Sequence, residues 1–135
     1  MALMEWDSSF SVNVAEVDAQ HQILVKMINT LNDAMKARKG KEVMGDIIDG
    51  LIDYAATHFS MEETYFEQFS YTGAFIHKKE HQKFVGRIID FKKGFDAGKL
   101  MLSLDVLEFL KTWLIDHIKG SDKKYTRCFN ENGLQ

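Results

Sequence analysis

The chain has 135 residues, 45% of them apolar and 27% charged, which fits one soluble domain with a sizeable core. The net charge is −3, with Lys and Arg scattered among Asp and Glu, so neither nucleic acid nor a membrane surface is an expected partner. No apolar run is long enough to cross a bilayer, and no internal repeat or low-complexity segment divides the chain.

Residues 1–7 lack the basic start and apolar run of a signal peptide, so a cytoplasmic location is expected. Up to about residue 17 the sequence alternates, as in Phe10-Ser-Val-Asn-Val14, without a helical period. An extended N-terminal arm follows from this, anchored by Trp6 and Phe10. Asp18 is the expected N-cap of the first helix. That helix carries an inward stripe of His21, Leu24, Ile28, Leu31 and Met35 and is expected to end near Arg38, before Gly40.

The second helix spans about 41–68, with the stripe Met44, Ile48, Leu51, Ala55, His58, Glu62 and Tyr65. After a turn at Tyr71-Thr-Gly73, the third runs to about Phe95 with the stripe His77, His81, Phe84, Ile88, Phe91 and Phe95. The fourth is expected to start after Ser103 and to point Leu107, Leu110, Leu114 and His117 inward. Asp122 lies five residues beyond His117, a step of roughly 140° on a regular helix. If both serve one site, the backbone must unwind between them, and Gly120 is the easiest place. A short terminal helix with Tyr125 and Phe129 should follow. Proline is absent, so no helix is broken from within, and the single Cys128 excludes a disulfide or a cysteine-based metal site.

The expected fold is therefore all-α: an up-down-up-down antiparallel four-helix bundle with an extended N-terminal arm and a short C-terminal helix, all within one domain, 1–135. Adjacent helices run oppositely. His21 falls early in the first, His58 and Glu62 late in the second, His77 and His81 early in the third, and His117 late in the fourth. Seven donors scattered through the chain thus converge at one end. Taken singly, each histidine reads as a core or surface residue, and Glu62 or Asp122 as half of an ion pair. Together they read as a metal site, because five buried neutral imidazoles would otherwise lack partners.

Imidazole with carboxylate and no thiolate suits iron, and each carboxylate can bridge two metals. Two six-coordinate metals offer about twelve positions; five imidazoles, two bridging carboxylates and one shared oxo or hydroxo fill all but one. A single vacancy suits reversible binding of one small ligand. Leu114 is one turn before His117 and Leu24 one turn after His21, flanked by Val25 and Ile118, with Phe59 and Trp113 nearby. All six are candidate walls of a dry ligand pocket, and plain core packing is the alternative for each. Tyr125 is a candidate to close the site or, equally, a surface residue.

The sequence also resembles the hemerythrin family in its stand-alone bacterial form. The matching residues are Trp6, Asp18-Ala-Gln-His21, His58-Phe-Ser-Met-Glu62-Glu63, His77-Lys-Lys-Glu-His81, and Trp113-Leu-Ile-Asp-His117 with Asp122 and Tyr125. The likeness covers almost the whole chain. It departs at Ser70-Tyr-Thr-Gly73, where members often carry a Gly-Tyr-Pro-like turn. The resemblance implies two irons, one held by His77, His81 and His117 and the other by His21 and His58, bridged by Glu62, Asp122 and an oxo or hydroxo group. It further implies that O2 binds the two-histidine iron and is held there as hydroperoxide.

The expected function is thus a non-enzymatic O2 carrier, store or delivery protein, serving an O2-consuming enzyme and monomeric by preference. The alternatives are a di-iron oxidase, peroxidase or nitric-oxide-handling enzyme, an O2 or redox sensor, an iron-storage or repair protein, and a metal-free helical module. No paired Glu-x-x-His motifs of carboxylate-rich di-iron enzymes occur. Sensor members are usually fused to signalling domains, for which a chain ending at Gln135 has no room.

Overall fold

The computed structural model describes residues 4–98 and 102–135. Among these it contains helices α1 (Ala15–Lys36), α2 (Gly40–Tyr54), α3 (Ser60–Gln68), α4 (Ala74–Asp96), α5 (Leu102–Trp113) and α6 (Thr126–Glu131). A π-helical segment, Ala55–Phe59, joins α2 to α3, making one continuous rod. A second, Leu114–Ser121, extends α5 and passes through a 3-10 turn, Asp122–Tyr125, into α6. The described residues thus form four rods: α1, α2–α3, α4 and α5 with its extension. Each packs on its neighbours in sequence, and α1 closes the ring against α5, as the periodicities predict.

The N-terminal arm is extended apart from a 3-10 turn, Ser8–Phe10, capped by Asp7. Trp6 stacks on Phe10 with centroids 5.5 Å apart, and Met4 and Asn29 exchange hydrogen bonds that lay the arm along α1. Val12 and Val14 are buried, which explains the alternation.

Several boundaries differ from the expectations. The first helix starts at Ala15, so Asp18 is not its N-cap. Its carboxylate instead accepts hydrogen bonds from Ser11 Oγ (2.6 Å) and Val12 N (2.9 Å), tying the arm back onto the first turn. Gly40 does not end α1; it opens α2, where a Cβ would meet Ser103 Oγ at 2.9 Å and Met35 Cγ at 3.1 Å. The turn itself uses Arg38 at φ 60°. Ser103 lies inside α5, which is already formed at Leu102.

On the second rod the buried face passes from Glu62 to Phe66, and Tyr65 stands half-exposed with its hydroxyl 2.9 Å from Glu16 Oε2. Glu62 and Phe66 both lie on α3, where a four-residue step keeps to one face as well as the three-residue step the stripe assumed. On α4 the last residue of the predicted stripe, Phe95, is 36% exposed. The irregularity expected at Gly120 is longer, beginning at Leu114.

The core has two apolar parts. The larger, including Leu24, Ile28, Leu51, Phe84, Leu110 and Leu114, fills the bundle. The smaller, Val12, Val14, Val17, Phe66, Tyr125 and Phe129, caps one pole. Between them lies a polar layer.

Candidate metal centre

That layer consists of the seven donors. His21, Glu62 and Asp122 are fully inaccessible, and His58, His77, His81 and His117 are each 2% exposed. Periodicity brings His21, His77 and His81 inward from ordinary α-helical turns. His58 and the span from His117 to Asp122 depend on the two π segments. By adding a residue to the turn, the longer segment lets a carboxylate five positions after His117 return to the same face.

The donor atoms fall into two groups, His77, His81, His117 and Asp122, and His21, His58, Glu62 and Asp122. Within each, the atoms lie within 4.8 Å of one another. Asp122 serves both, with Oδ1 2.9 Å from His77 Nε2 and 3.0 Å from His117 Nε2, and Oδ2 3.1 Å from His21 Nε2. Glu62 Oε1 lies 3.0 Å from His58 Nε2 and 3.3 Å from His81 Nε2, and so also reaches across.

These are close approaches, yet neither oxygen of Glu62 or Asp122 takes part in a hydrogen bond, and neither does Nε2 of His77, His81 or His117. Buried polar atoms without partners are costly, about 1–3 kcal/mol each, and need an explanation. Donors bound at right angles to one metal, each about 2.1 Å away, stand about 3.0 Å apart, matching the approaches seen here. The residues therefore fit a pair of metal ions.

The electrostatics agree. Burial pushes Asp122 up, but the His117 charge, with the His117, His21 and His77 imidazoles beside it, holds its carboxyl well below the usual range. Burial and the Asp122 charge likewise raise Glu62, and His58 and His81 outweigh them, so it too is lowered. Burial opposes charge on His117; Asp122, then Glu62 and Glu80, prevail and raise it. A pocket that keeps two carboxylates ionised without exposure to water attracts cations.

Outside this layer, three imidazoles are held by their other nitrogen. His58 Nδ1 bonds Gln20 Oε1 (2.5 Å), His81 Nδ1 bonds Glu63 Oε2 (2.9 Å), and His117 Nδ1 bonds Glu80 Oε1 (3.2 Å), which also accepts from Ser121 Oγ (2.7 Å). These oxygens only accept, so Nδ1 carries the proton and the Nε2 lone pair faces the centre. Sequence reasoning assigned none of these four residues a role. Their one signal is position: each adjoins a donor in the chain, and one residue along a helix is a rotation of about 100°, toward the neighbouring rod.

All six predicted wall residues are buried in the larger core. Phe59 lies flat on His81, with centroids 3.8 Å apart and planes at 5°, and Trp113 on His117 at 3.9 Å and 14°. They back the three-histidine group. Leu24 and Val25 follow His21 on α1, with Leu114 and Ile118 on the fourth rod. Tyr125 is not a surface residue: it is fully buried and stacked on Phe129, and burial, then Glu62 and Asp122, push its hydroxyl far up.

The model of the hemerythrin HHE cation binding domain matches residues 12–128. The chain belongs to the hemerythrin family. It is 38% identical over 131 residues to a bacteriohemerythrin of Methylococcus capsulatus, covering 96% of this chain and 99% of that one. It is 31% identical to the bacteriohemerythrin of Stenotrophomonas maltophilia, covering 93% and 80% of the two chains. Against a crystal structure of wild-type hemerythrin the TM-score is 0.84 at 38% identity, covering 94% of this chain and 98% of that one. This hemerythrin thus has the family's four-helix fold, with the histidine and carboxylate clusters of a di-iron centre at one pole.

Proposed function

We propose that this hemerythrin binds O2 reversibly as a carrier, store or delivery protein, with residues 1–135 acting as one domain. The observation that carries the reading is the buried cluster of seven donors in which both carboxylates and Nε2 of His77, His81 and His117 face one another closely without a hydrogen bond.

In this reading His77, His81 and His117 would hold one iron and His21 and His58 the other, with Glu62 and Asp122 shared between them. When bound, the iron pair supplies the reversible two-electron chemistry that captures O2. The protein's residues supply the rest. Gln20, Glu63 and Glu80 orient imidazoles through Nδ1. Leu24, Val25, Leu114 and Ile118 would keep water from the two-histidine side, while Phe59 and Trp113 wall the three-histidine side. Tyr125 closes the pole beneath the centre. A histidine-rich site with one vacancy, walled by apolar side chains, favours holding a ligand over transforming a substrate. The protein is accordingly read as a binding protein and not an enzyme.

Among the described residues no helix is long and apolar enough to cross a membrane. A cytoplasmic monomer that hands O2 to an O2-consuming enzyme completes the reading.

The test is anaerobic loading with ferrous iron. Two irons per chain, and a coloured form that appears with O2 and reverts under vacuum, are expected. Sustained O2 consumption with a reductant, at rates well above autoxidation, would replace the carrier with an oxidase.

A further inference from the structure

We infer that Glu63 and Glu80 on one side, and Gln20 on the other, are positioning residues that make the two metal positions unequal, strengthening the grip of the three-histidine position alone. The inference rests on the di-iron reading of the cluster and adds to it an order of metal retention and of oxidation.

Every outer hydrogen bond on the three-histidine side ends on a carboxylate, Glu63 behind His81 and Glu80 behind His117. On the two-histidine side the single outer bond, from His58, ends on the neutral carboxamide of Gln20. The remaining two imidazoles, His21 and His77, make no hydrogen bond through Nδ1. Two negative charges therefore lie against one half of the centre, and none bonds an imidazole of the other.

A carboxylate accepting an imidazole N–H shifts electron density to the opposite nitrogen and makes it a stronger donor. An amide oxygen orients the ring similarly, but a bond to a neutral acceptor is roughly half as strong as one to an ion. The carboxylate side chains are 33% and 32% exposed, so solvent screens them in part. Glu80 is also pinned by Ser121, one residue before the bridging Asp122, so its placement is built into the same segment that returns the bridge to the site.

The pattern follows the connectivity. Gln20 on α1 serves the second rod, Glu63 on α3 serves α4, and Glu80 on α4 serves the fourth rod. Each backing residue stands on the rod before the histidine it holds, so a single amide among two acids gives the cluster its polarity. The three-histidine position then keeps its metal longer and favours the higher charge. The two-histidine position returns more readily to the lower charge, as release of a ligand requires.

Isosteric exchanges test this: E63Q with E80Q, and separately Q20E. The protein is loaded with Co2+ in place of iron, and its loss to excess EDTA is followed by the cobalt absorption. Wild type should release two metals in two phases. The double Gln variant should speed the slow phase about 10- to 100-fold and leave the fast phase unchanged. Q20E should slow the fast phase alone. On the iron-loaded protein, the two one-electron potentials should draw together in both variants. Equal acceleration of both phases, or unchanged rates and potentials, would overturn the inference, since a merely structural role affects both positions alike. If the double variant does not fold, Q20E decides. Failure of wild type to bind two metals would instead remove the di-iron reading.

Discussion

His117 Nε2 and Asp122 Oδ1 lie 3.0 Å apart although Asp122 stands five positions further along, an offset that would leave them far apart around a regular α-helix. The π segment Leu114–Ser121 closes that gap. Asp122 is also the one donor that belongs to both groups. Replacing it with Ala should therefore lower iron from two per chain to one or fewer while leaving the helix content nearly unchanged. Elemental analysis with circular dichroism measures both. Two irons retained would show that Asp122 is dispensable.

The metal-free protein should be most stable in mildly acidic solution. His117 is raised above its ordinary 6.5, so its contribution is complete below that value and is lost as pH climbs through the raised one. Asp122 and Glu62 are lowered, so their contribution is present above the ordinary carboxylate range and disappears only in strong acid. The apo melting temperature should fall as pH rises above about 6.5, while the metal-loaded protein, with cations in place of the proton, should vary much less. Parallel melting curves for the two forms would contradict this.

Leu114 is fully buried in the larger core, one turn before His117. Shortening it to Ala should lower stability by about 2–5 kcal/mol. It should also admit water to the vacant position and speed autoxidation. Decay of the oxygenated spectrum, followed at a temperature where both proteins are folded, separates the two effects. An unchanged decay would remove Leu114 from the pocket wall.

Asp18 binds Ser11 and Val12 and so joins the N-terminal arm to α1. Asp18→Ala should cost about 1–3 kcal/mol, since both bonds end on a charged acceptor. It should also raise amide exchange at Val12 before any change appears in the helices. Uniform exchange throughout the chain would mean that the arm is held by Trp6 and Phe10 alone.

Much of this molecule is decided locally. Apolar residues and histidines recur every three or four positions, absence of proline leaves the rods unbroken, and short connections force neighbours to run oppositely. Those features alone bring the five histidines and Glu62 to one pole, because inward direction is a property of a single helix and its period. The five histidines and Glu62 are all buried, the direction their period gives them.

What the period cannot express is where it changes and what stands across the seam. The register of α3 turns Phe66 inward in place of Tyr65, and the π segment Leu114–Ser121 returns Asp122 to His117. Asp18 has the chemistry of a cap, yet its partners are decided by the path of the arm. Gln20, Glu63 and Glu80 are ordinary polar residues beside donors in the chain. Only the register between neighbouring rods sets each against an imidazole of the next one, because a rotation of about 100° turns a side chain from the centre toward an interface whose other half is distant in sequence.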